Sequence, residues 1–265
     1  MKRKRNYCLI FGVIITAIVL AIAITGLFWT PYSTTEINAD IKLNAPSLAH
    51  PFGTDNYGRD IFSRVMQGAG TTFIVAISTI LFGMIVGCAI GFVCGYFGGW
   101  VDEIIMRIND VLNAFPSMLL ALVFVSILGS GLLNVILALG ILFIPSFARI
   151  ARSEMLRLKG LPFVQSAKLS KAKAGRIIFA HIMPNSYTSI LSSAAVGFNN
   201  AVLAEAGLSY LGLGVSPPTA SLGLMISEAG SYLAIAPWYA IFPGITIIVL
   251  VLGVSLISEG LTRIE

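Results

Sequence analysis

The residues with the clearest chemical potential lie between positions 50 and 64. His50, Asp55 and Asp60 are types that bind hard metal ions, and they stand in the run HPFGTDNYGRDIFSRVMQGA. No regular helix or strand spacing brings these three side chains to one point, so the pattern does not predict a metal site. Because Arg59 and Arg64 stand beside the acids, the pattern favours a folded polar segment held by Asp–Arg pairs.

A second glycine-containing stretch, Gly212-Leu213-Gly214, could suggest a cradle for phosphate groups. A nucleotide-binding P-loop ends in Gly-Lys-Ser or Gly-Lys-Thr, and none of the lysines in this chain follows a glycine. The cysteines Cys8, Cys88 and Cys94 stand alone within apolar runs, without the spacing of a zinc or disulfide site. The sequence therefore predicts no catalytic residue, no cofactor and no metal ligand.

The amino-acid composition indicates whether the chain folds in water or in a membrane. Of its 265 residues, 57% are hydrophobic and 11% are charged, and the mean hydropathy is +0.90. Soluble domains carry about 25% charged residues. A membrane protein is predicted, and a soluble enzyme is excluded.

Apolar runs of roughly the length that crosses a bilayer, about 20 residues, recur along the chain. Six transmembrane helices are predicted in an all-α, multi-pass protein. The third run is short, and we expect it to continue backwards through VDEIIMRINDVLNAF with a bend near Pro116. The six predicted spans are Cys8–Trp29, Thr72–Tyr96, Pro116–Leu128, Leu132–Ile150, Ser186–Ala206 and Trp238–Ser258.

The basic residues are distributed unequally between the two sides of these spans. Only Lys42, Arg59 and Arg64 fall on the side opposite to the N-terminus. Basic residues accumulate on the cytoplasmic side, so both termini are predicted to be cytoplasmic. The other basic residues, all on the N-terminal side, are Lys2, Arg3, Lys4, Arg5, Arg107, Arg149, Arg152, Arg157, Lys159, Lys168, Lys171, Lys173, Arg176 and Arg263.

Glycines recur every four residues in the second predicted span, at Gly83, Gly87, Gly91 and Gly95. Four glycines on one face of a helix allow another backbone to approach closely, so a helix-packing face is predicted. A flexible gate is the alternative interpretation.

The cytoplasmic segment from Arg149 to Asn185 is too long and too basic to be a simple connection. Its apolar side chains predict a docking surface for another protein, whereas its charges alone would also suit anionic lipid headgroups. The apolar residues are Leu156, Leu158, Leu161, Phe163 and Val164.

Part of this segment, FVQSAKLSKAKAGRIIFAHIMPN, resembles the cytoplasmic coupling loop of ABC-importer permeases. The run HPFGTDNYGRDIFSRVMQGA and the run LAEAGLSYLGLGVSPPTASLGLMISEA are similar to those of the dipeptide/oligopeptide/nickel subgroup, in its "C" type permease. The resemblance extends from Trp29 to Leu261. The chain departs from the family where Glu-Ala-Ala is replaced by Gln165-Ser166-Ala167, and where the following Gly is replaced by Lys171.

The resemblance implies a type I ABC-importer permease fold, with an N-terminal helix and extracytoplasmic segment over residues 1–70 and a transmembrane domain over residues 71–265. It implies a coupling loop at about 149–185, where the ATPase would dock. The residues expected to dock are Leu161, Phe163, Val164, Gln165, Ser166, Ala167 and Lys171.

The resemblance also implies partners and cargo. The expected partners are a second permease that forms a heterodimer, two ATP-binding subunits, an extracytoplasmic substrate-binding protein and membrane lipid, with no nucleic acid. The expected location is the cell membrane of a prokaryote. Short peptides are the expected cargo, and nickel or a metal chelate is the alternative. An ion-driven transporter is disfavoured because no centre of a predicted span carries a charge.

The predicted orientation can be tested with single cysteines in a background without Cys8, Cys88 and Cys94. A membrane-impermeant thiol reagent added to intact cells should modify Asn56→Cys and should leave Lys168→Cys unmodified, because only position 56 is predicted to lie outside. The reverse labelling pattern would refute this orientation.

Overall fold

The computed structural model describes residues 7–262. The basic residues at positions 2–5 and 263, which enter the predicted orientation, lie outside this range. The predicted all-α class is confirmed, since between residues 7 and 262 the only strand-like pairing is one isolated bridge, Thr54 with Asp60. The helices are α1 (Tyr7–Phe28), α2 (Ile61–Phe97), α3 (Gly99–Ala114), α4 (Ser117–Leu128), α5 (Leu132–Leu158), α6 (Pro162–Leu169), α7 (Ala174–Arg176), α8 (Tyr187–Tyr210), α9 (Leu222–Ala229) and α10 (Trp238–Thr262).

In the described part of the chain, α1, α2, α5 and α10 are long and apolar enough to cross a membrane. The pair α3 and α4 adds a fifth crossing if it is counted as one span, although the two helices meet at 95°. Phe115 is extended, at φ −90° and ψ 145°, because the residue before a proline avoids helical backbone. The bend predicted near Pro116 is confirmed.

The helix α8 corresponds to the remaining predicted span. Its 24 residues are enough to cross a bilayer. However, Asn199, Asn200 and several serines make it less apolar than α1, α2, α5 and α10. Its hydropathy is therefore too low to count it with the helices that are apolar enough to cross a membrane. The total of six spans therefore stays a prediction.

The helix α2 begins well before the predicted span at Thr72. Asp60 caps its N-terminus, and one oxygen of this carboxylate accepts hydrogen bonds from the backbone N–H and the hydroxyl of Ser63, both at 2.7 Å. Such a cap satisfies N–H groups that the first helical turn leaves without partners. The helix then runs unbroken to Phe97, so the predicted domain boundary at residues 70 and 71 falls inside it.

The four spaced glycines of α2 face α5. A Cβ atom added at Gly87 would lie 2.6 Å from the carbonyl oxygen of Ile144, and one at Gly83 would lie 2.7 Å from the Cβ of Phe143. Added Cβ atoms at Gly91 and Gly95 would likewise collide with α5. Side chains are therefore excluded along the whole contact, and the two backbones approach closely.

The helices α1 and α10 pack on each other by the same means. A Cβ at Gly12 of α1 would meet the backbone of α10, and one at Gly253 of α10 would meet Thr16. Gly26, near the end of α1, lies against the backbone of Met66 in α2. The helix α1 is thus fixed to the remaining helices at both of its ends.

We predict that Gly91→Ala lowers the stability of the protein by about 1–3 kcal/mol, because the methyl group would collide with the carbonyl oxygen of Ala148 and force the backbones apart. The measurement is the thermal unfolding midpoint of the purified chain in detergent. Gly244→Ala is the matched control, since the space around that helical glycine of α10 is open within this chain. Alanine there gains about 1 kcal/mol of helix propensity. Equal midpoints for Gly91→Ala and the unaltered chain would contradict close packing of α2 on α5.

Candidate functional site

The segment between α5 and α8 folds into short helices. Pro162 occupies the first turn of α6, where its missing N–H costs nothing, and the preceding Leu161 is extended. The chain reverses after α6 at Lys171, which has a positive φ of 57°. In this reversal the N–H of Ala172 donates to the carbonyl oxygen of Ala167 at 3.1 Å. A turn of π-helix, Ile177–Ile182, then leads towards α8.

The structure divides the predicted docking residues between two faces of α6. Phe163 is 39% exposed and Leu161 is 38% exposed, whereas Val164 is fully buried in the same core cluster as Ile177 and Ile182. The prediction that Val164 docks a partner is therefore wrong. Adjacent residues of a helix point about 100° apart, so Phe163 and Val164 cannot share one face.

An open cavity of about 580 Å³ lies beside the exposed face of α6. It brings together four predicted residues, Phe163, Ser166, Ala167 and Lys171. Leu161 and Gln165 lie outside it, although both are exposed. The amide of Gln165 donates to the carbonyl oxygen of Gly160 at 3.0 Å, inside its own segment.

The rim of this cavity is cationic. Lys171, Lys173 and Arg176 line it together with His181, and all three cations are exposed. An apolar ring among cations suits a partner that presents an apolar pocket with acidic residues around it.

The base of the segment is tied to the C-terminal end of α2 and the N-terminal end of α3. The Lys159 ammonium donates to the carbonyl oxygen of Gly95 at 2.9 Å. The guanidinium of Arg152, on α5, forms two hydrogen bonds with the carboxylate of Asp102, with a distance of 2.6 Å between Nη2 and Oδ2. A bidentate pair of this kind fixes orientation as well as distance. The segment is therefore coupled to the long helices.

At the N-terminal end of α2, Asp55 and Glu228 form a buried ion cluster with Arg59 and Arg64. Asp55 pairs with Arg59, with a distance of 2.6 Å between Oδ2 and Nε, and its Oδ2 also lies 3.6 Å from Arg64. Arg64 reaches Glu228 with 2.9 Å between Nη2 and Oε2, and the hydroxyl of Tyr239 donates to the same oxygen at 2.8 Å. The predicted Asp–Arg pairs are confirmed.

The third acidic residue of this region has a different partner. Asp60, besides capping α2, contacts the Nδ1 atom of His50 at 2.9 Å. Among residues 7–262, no group of three or more His, Cys, Asp or Glu side chains is arranged to hold a metal ion. The arrangement serves to fasten the segment between α1 and α2 to the N-terminal end of α2.

Sequence reasoning missed a buried carboxyl group. Glu205 falls at the end of the predicted span Ser186–Ala206, and its side chain in α8 is fully buried. It accepts hydrogen bonds from the hydroxyl of Thr72 at 2.9 Å and from that of Ser209 at 2.6 Å. Glutamate flanked by Ala204 and Ala206 was the only local signal, and the partner on α2 lies 133 residues away. The contact joins α2 to α8.

Comparison with known proteins agrees with this geometry. Residues 87–264 match the family described as "Binding-protein-dependent transport system inner membrane component". The dipeptide transport system permease protein DppC of Alkalihalophilus pseudofirmus is 41% identical, over 97% of this chain and 85% of that protein. The glutathione transport system permease protein GsiD of Pectobacterium atrosepticum is 40% identical, over 97% of this chain and 86% of that protein.

A solved structure shares the fold. The MetNI methionine ABC transporter, in an inward-facing conformation, superimposes with a TM-score of 0.61 over 76% of this chain and 94% of the matched chain, at 19% identity. The predicted type I permease fold is thereby confirmed. With the family match over most of the chain, and relatives that are permeases along nearly its whole length, the conclusion is that this chain belongs to the binding-protein-dependent transport system inner membrane components, the permeases of ABC importers.

Proposed function

We propose that the chain is one of two permease subunits of an ATP-driven importer of short peptides, and that the segment at residues 149–185 docks an ATPase subunit. The observation that carries the proposal is the half-exposed ring of Phe163 in a cation-rimmed cavity on α6. A large aromatic side chain that is left exposed beside a concavity is typical of a protein–protein contact. The docking residues proposed are those predicted from the sequence, without Val164.

The energetic core of this contact is apolar. Burying a phenylalanine side chain is worth about 1.5–3 kcal/mol. Lys171 lies at the rim, and an ion pair made there with an acidic ATPase residue would be worth about 0–1 kcal/mol, because water screens it. Phe163 and Leu161 would therefore supply affinity, while Lys171, Lys173 and Arg176 would steer the encounter.

The contacts at the base of the segment suggest how ATPase motion reaches the membrane. A displacement of α6 would be passed on through the hydrogen bond from Lys159 to Gly95 and the ion pair between Arg152 and Asp102. Because α2 and α5 are in close backbone contact, both helices would move together. The pathway would then open alternately to the outside and to the cytoplasm.

The remaining parts of the proposed importer are other chains. ATP hydrolysis would come from two ATP-binding subunits, because no lysine of this chain follows a glycine. A second permease would complete the pathway as a heterodimer, an extracytoplasmic binding protein would deliver the cargo, and membrane lipid would surround the spans. Both termini would lie in the cytoplasm of a prokaryote, in agreement with the unequal distribution of basic residues.

The names of the relatives support peptides as the cargo. One relative is a dipeptide permease and another is a glutathione permease, and both of those substrates are short peptides. Nickel or a metal chelate remains the alternative cargo, as implied by the wider subgroup.

We predict that Phe163→Ala weakens the binding of the ATPase by about tenfold or more, because the loss of a buried aromatic ring exceeds the 1.4 kcal/mol that corresponds to tenfold in affinity. Lys171→Ala should change the affinity far less. The measurement is co-purification of the ATPase subunit with each permease variant, combined with uptake of a radiolabelled dipeptide.

Phe28→Ala is the matched control, since it removes an equal ring that is 87% exposed at the end of α1 away from the segment. It should co-purify with the ATPase as the unaltered chain does. Full ATPase binding and full uptake by Phe163→Ala would show that this segment is not the docking site.

The cargo can be tested on the binding protein that serves this permease. Calorimetric titration should show binding of di- and tripeptides, and no binding of nickel alone or of nickel chelates. Tight nickel binding without peptide binding would establish the alternative cargo.

A further inference from the structure

A second cavity, of about 440 Å³, lies among α5, α8 and α10 and shares no lining residue with the cavity beside α6. Its polar lining consists of Ser146 from α5, Ser192, Ser193 and Asn200 from α8, and Ser258 from α10. None of the residues that line it carries a charge, and the rest of its wall is apolar or glycine.

Within residues 7–262, three of these polar groups have no partner: the hydroxyl groups of Ser146 and Ser192 and the amide of Asn200. Ser146 lies near the middle of α5, and Asn200 lies near the middle of α8. Both are exposed, and within residues 7–262 neither side chain makes a hydrogen bond. Facing lipid, an unpaired amide or hydroxyl group would lose its hydration without compensation. Their placement therefore favours water, a polar solute or a polar group of a second subunit over lipid on this side of α5 and α8.

The neighbouring asparagine is paired through its amide nitrogen alone, and within residues 7–262 its buried Oδ1 oxygen has no partner. The amide nitrogen of Asn199 donates to the hydroxyl of Ser255 at 2.8 Å, which ties α8 to α10. Adjacent asparagines on one helix thus have different roles, because Asn199 packs helices together and Asn200 faces the cavity. This difference explains why α8 is less apolar than the other long helices.

We propose that this cavity is the water-filled section of the translocation pathway that this chain contributes, and that Ser146 and Asn200 solvate the backbone amides of the passing peptide. The proposal rests on the proposed function as a peptide importer. Uncharged donors and acceptors match the N–H and C=O groups that every peptide carries, whatever its side chains. The surface is therefore specific for the peptide backbone and indifferent to sequence.

The test uses cysteine accessibility in the complete importer. In a parent without Cys8, Cys88 and Cys94, single Ser146→Cys and Asn200→Cys variants are assembled with the partner subunits in vesicles of both orientations. The probe is a charged, membrane-impermeant methanethiosulfonate. Both thiols should react at least about tenfold faster than a thiol in lipid, because the reactive thiolate forms in water. Modification should also block dipeptide uptake.

Ile248→Cys is the matched control, since Ile248 is a 62% exposed apolar residue near the middle of α10 and does not line the cavity. It should react slowly, and uptake should survive the reagent. A second pair of variants tests the chemistry, because Asn200→Leu should reduce uptake severalfold while Asn200→Ser, which keeps a hydroxyl group, should retain it.

The outcomes separate the two proposals. If Ser146→Cys and Asn200→Cys react no faster than Ile248→Cys while dipeptide uptake is intact, the cavity is covered by the second permease or by lipid, and the pathway assignment is overturned. If the cysteine-free parent binds its ATPase but takes up no dipeptide, the peptide cargo fails, whereas rapid labelling of both positions would still support a water-filled pathway there.

Discussion

Because lipid tails are as apolar as leucine, two helices in a bilayer gain little free energy from burying apolar surface against each other. The contact of α2 with α5 therefore depends on how closely their backbones approach. Gly83, Gly87, Gly91 and Gly95 make that approach close along the whole contact, since an added Cβ atom at any of them would collide with α5. Dispersion contacts between backbones replace the hydrophobic effect as the attraction. The α2–α5 pair is therefore the rigid unit on which the other elements are placed.

Each level of α2 carries a different attachment to the rest of the chain. At its first turns, Asp60 caps the helix and Arg64 reaches Glu228 in α9. Further along, Thr72 binds the buried carboxyl group of Glu205 in α8. At its C-terminal end, the carbonyl oxygen of Gly95 accepts a hydrogen bond from the Lys159 ammonium. A movement of the segment at residues 149–185, where we propose that the ATPase docks, would therefore displace α2 along its full length, because α2 is one unbroken helix.

The sequence predicted those features that depend on neighbouring residues or on composition. The all-α class, the bend at Pro116 and the Asp–Arg pairing around Asp55 followed from hydropathy, proline sterics and charge spacing. Features that depend on contacts between residues far apart in the sequence could not be predicted from it. The sequence predicts one apolar patch on the docking segment. Val164 instead belongs to the core cluster that contains Ile177 and Ile182, and only the fold brings these residues together.

The ion cluster and the cavity among α5, α8 and α10 differ in how they carry charge. In the ion cluster around Arg64 the carboxylates of Asp55 and Glu228 each lie close to both Arg59 and Arg64, so no acid there is buried without a compensating cation. In the cavity among α5, α8 and α10 the polar groups are neutral. A fixed charge there would hold a zwitterionic peptide by one terminus and slow its release, whereas transport requires binding weak enough for the solute to leave. Neutral hydroxyl and amide groups replace part of the lost hydration without forming an ion pair. The ion cluster thus anchors the helices, and in the proposed pathway the neutral lining of the cavity would favour the passage of the cargo.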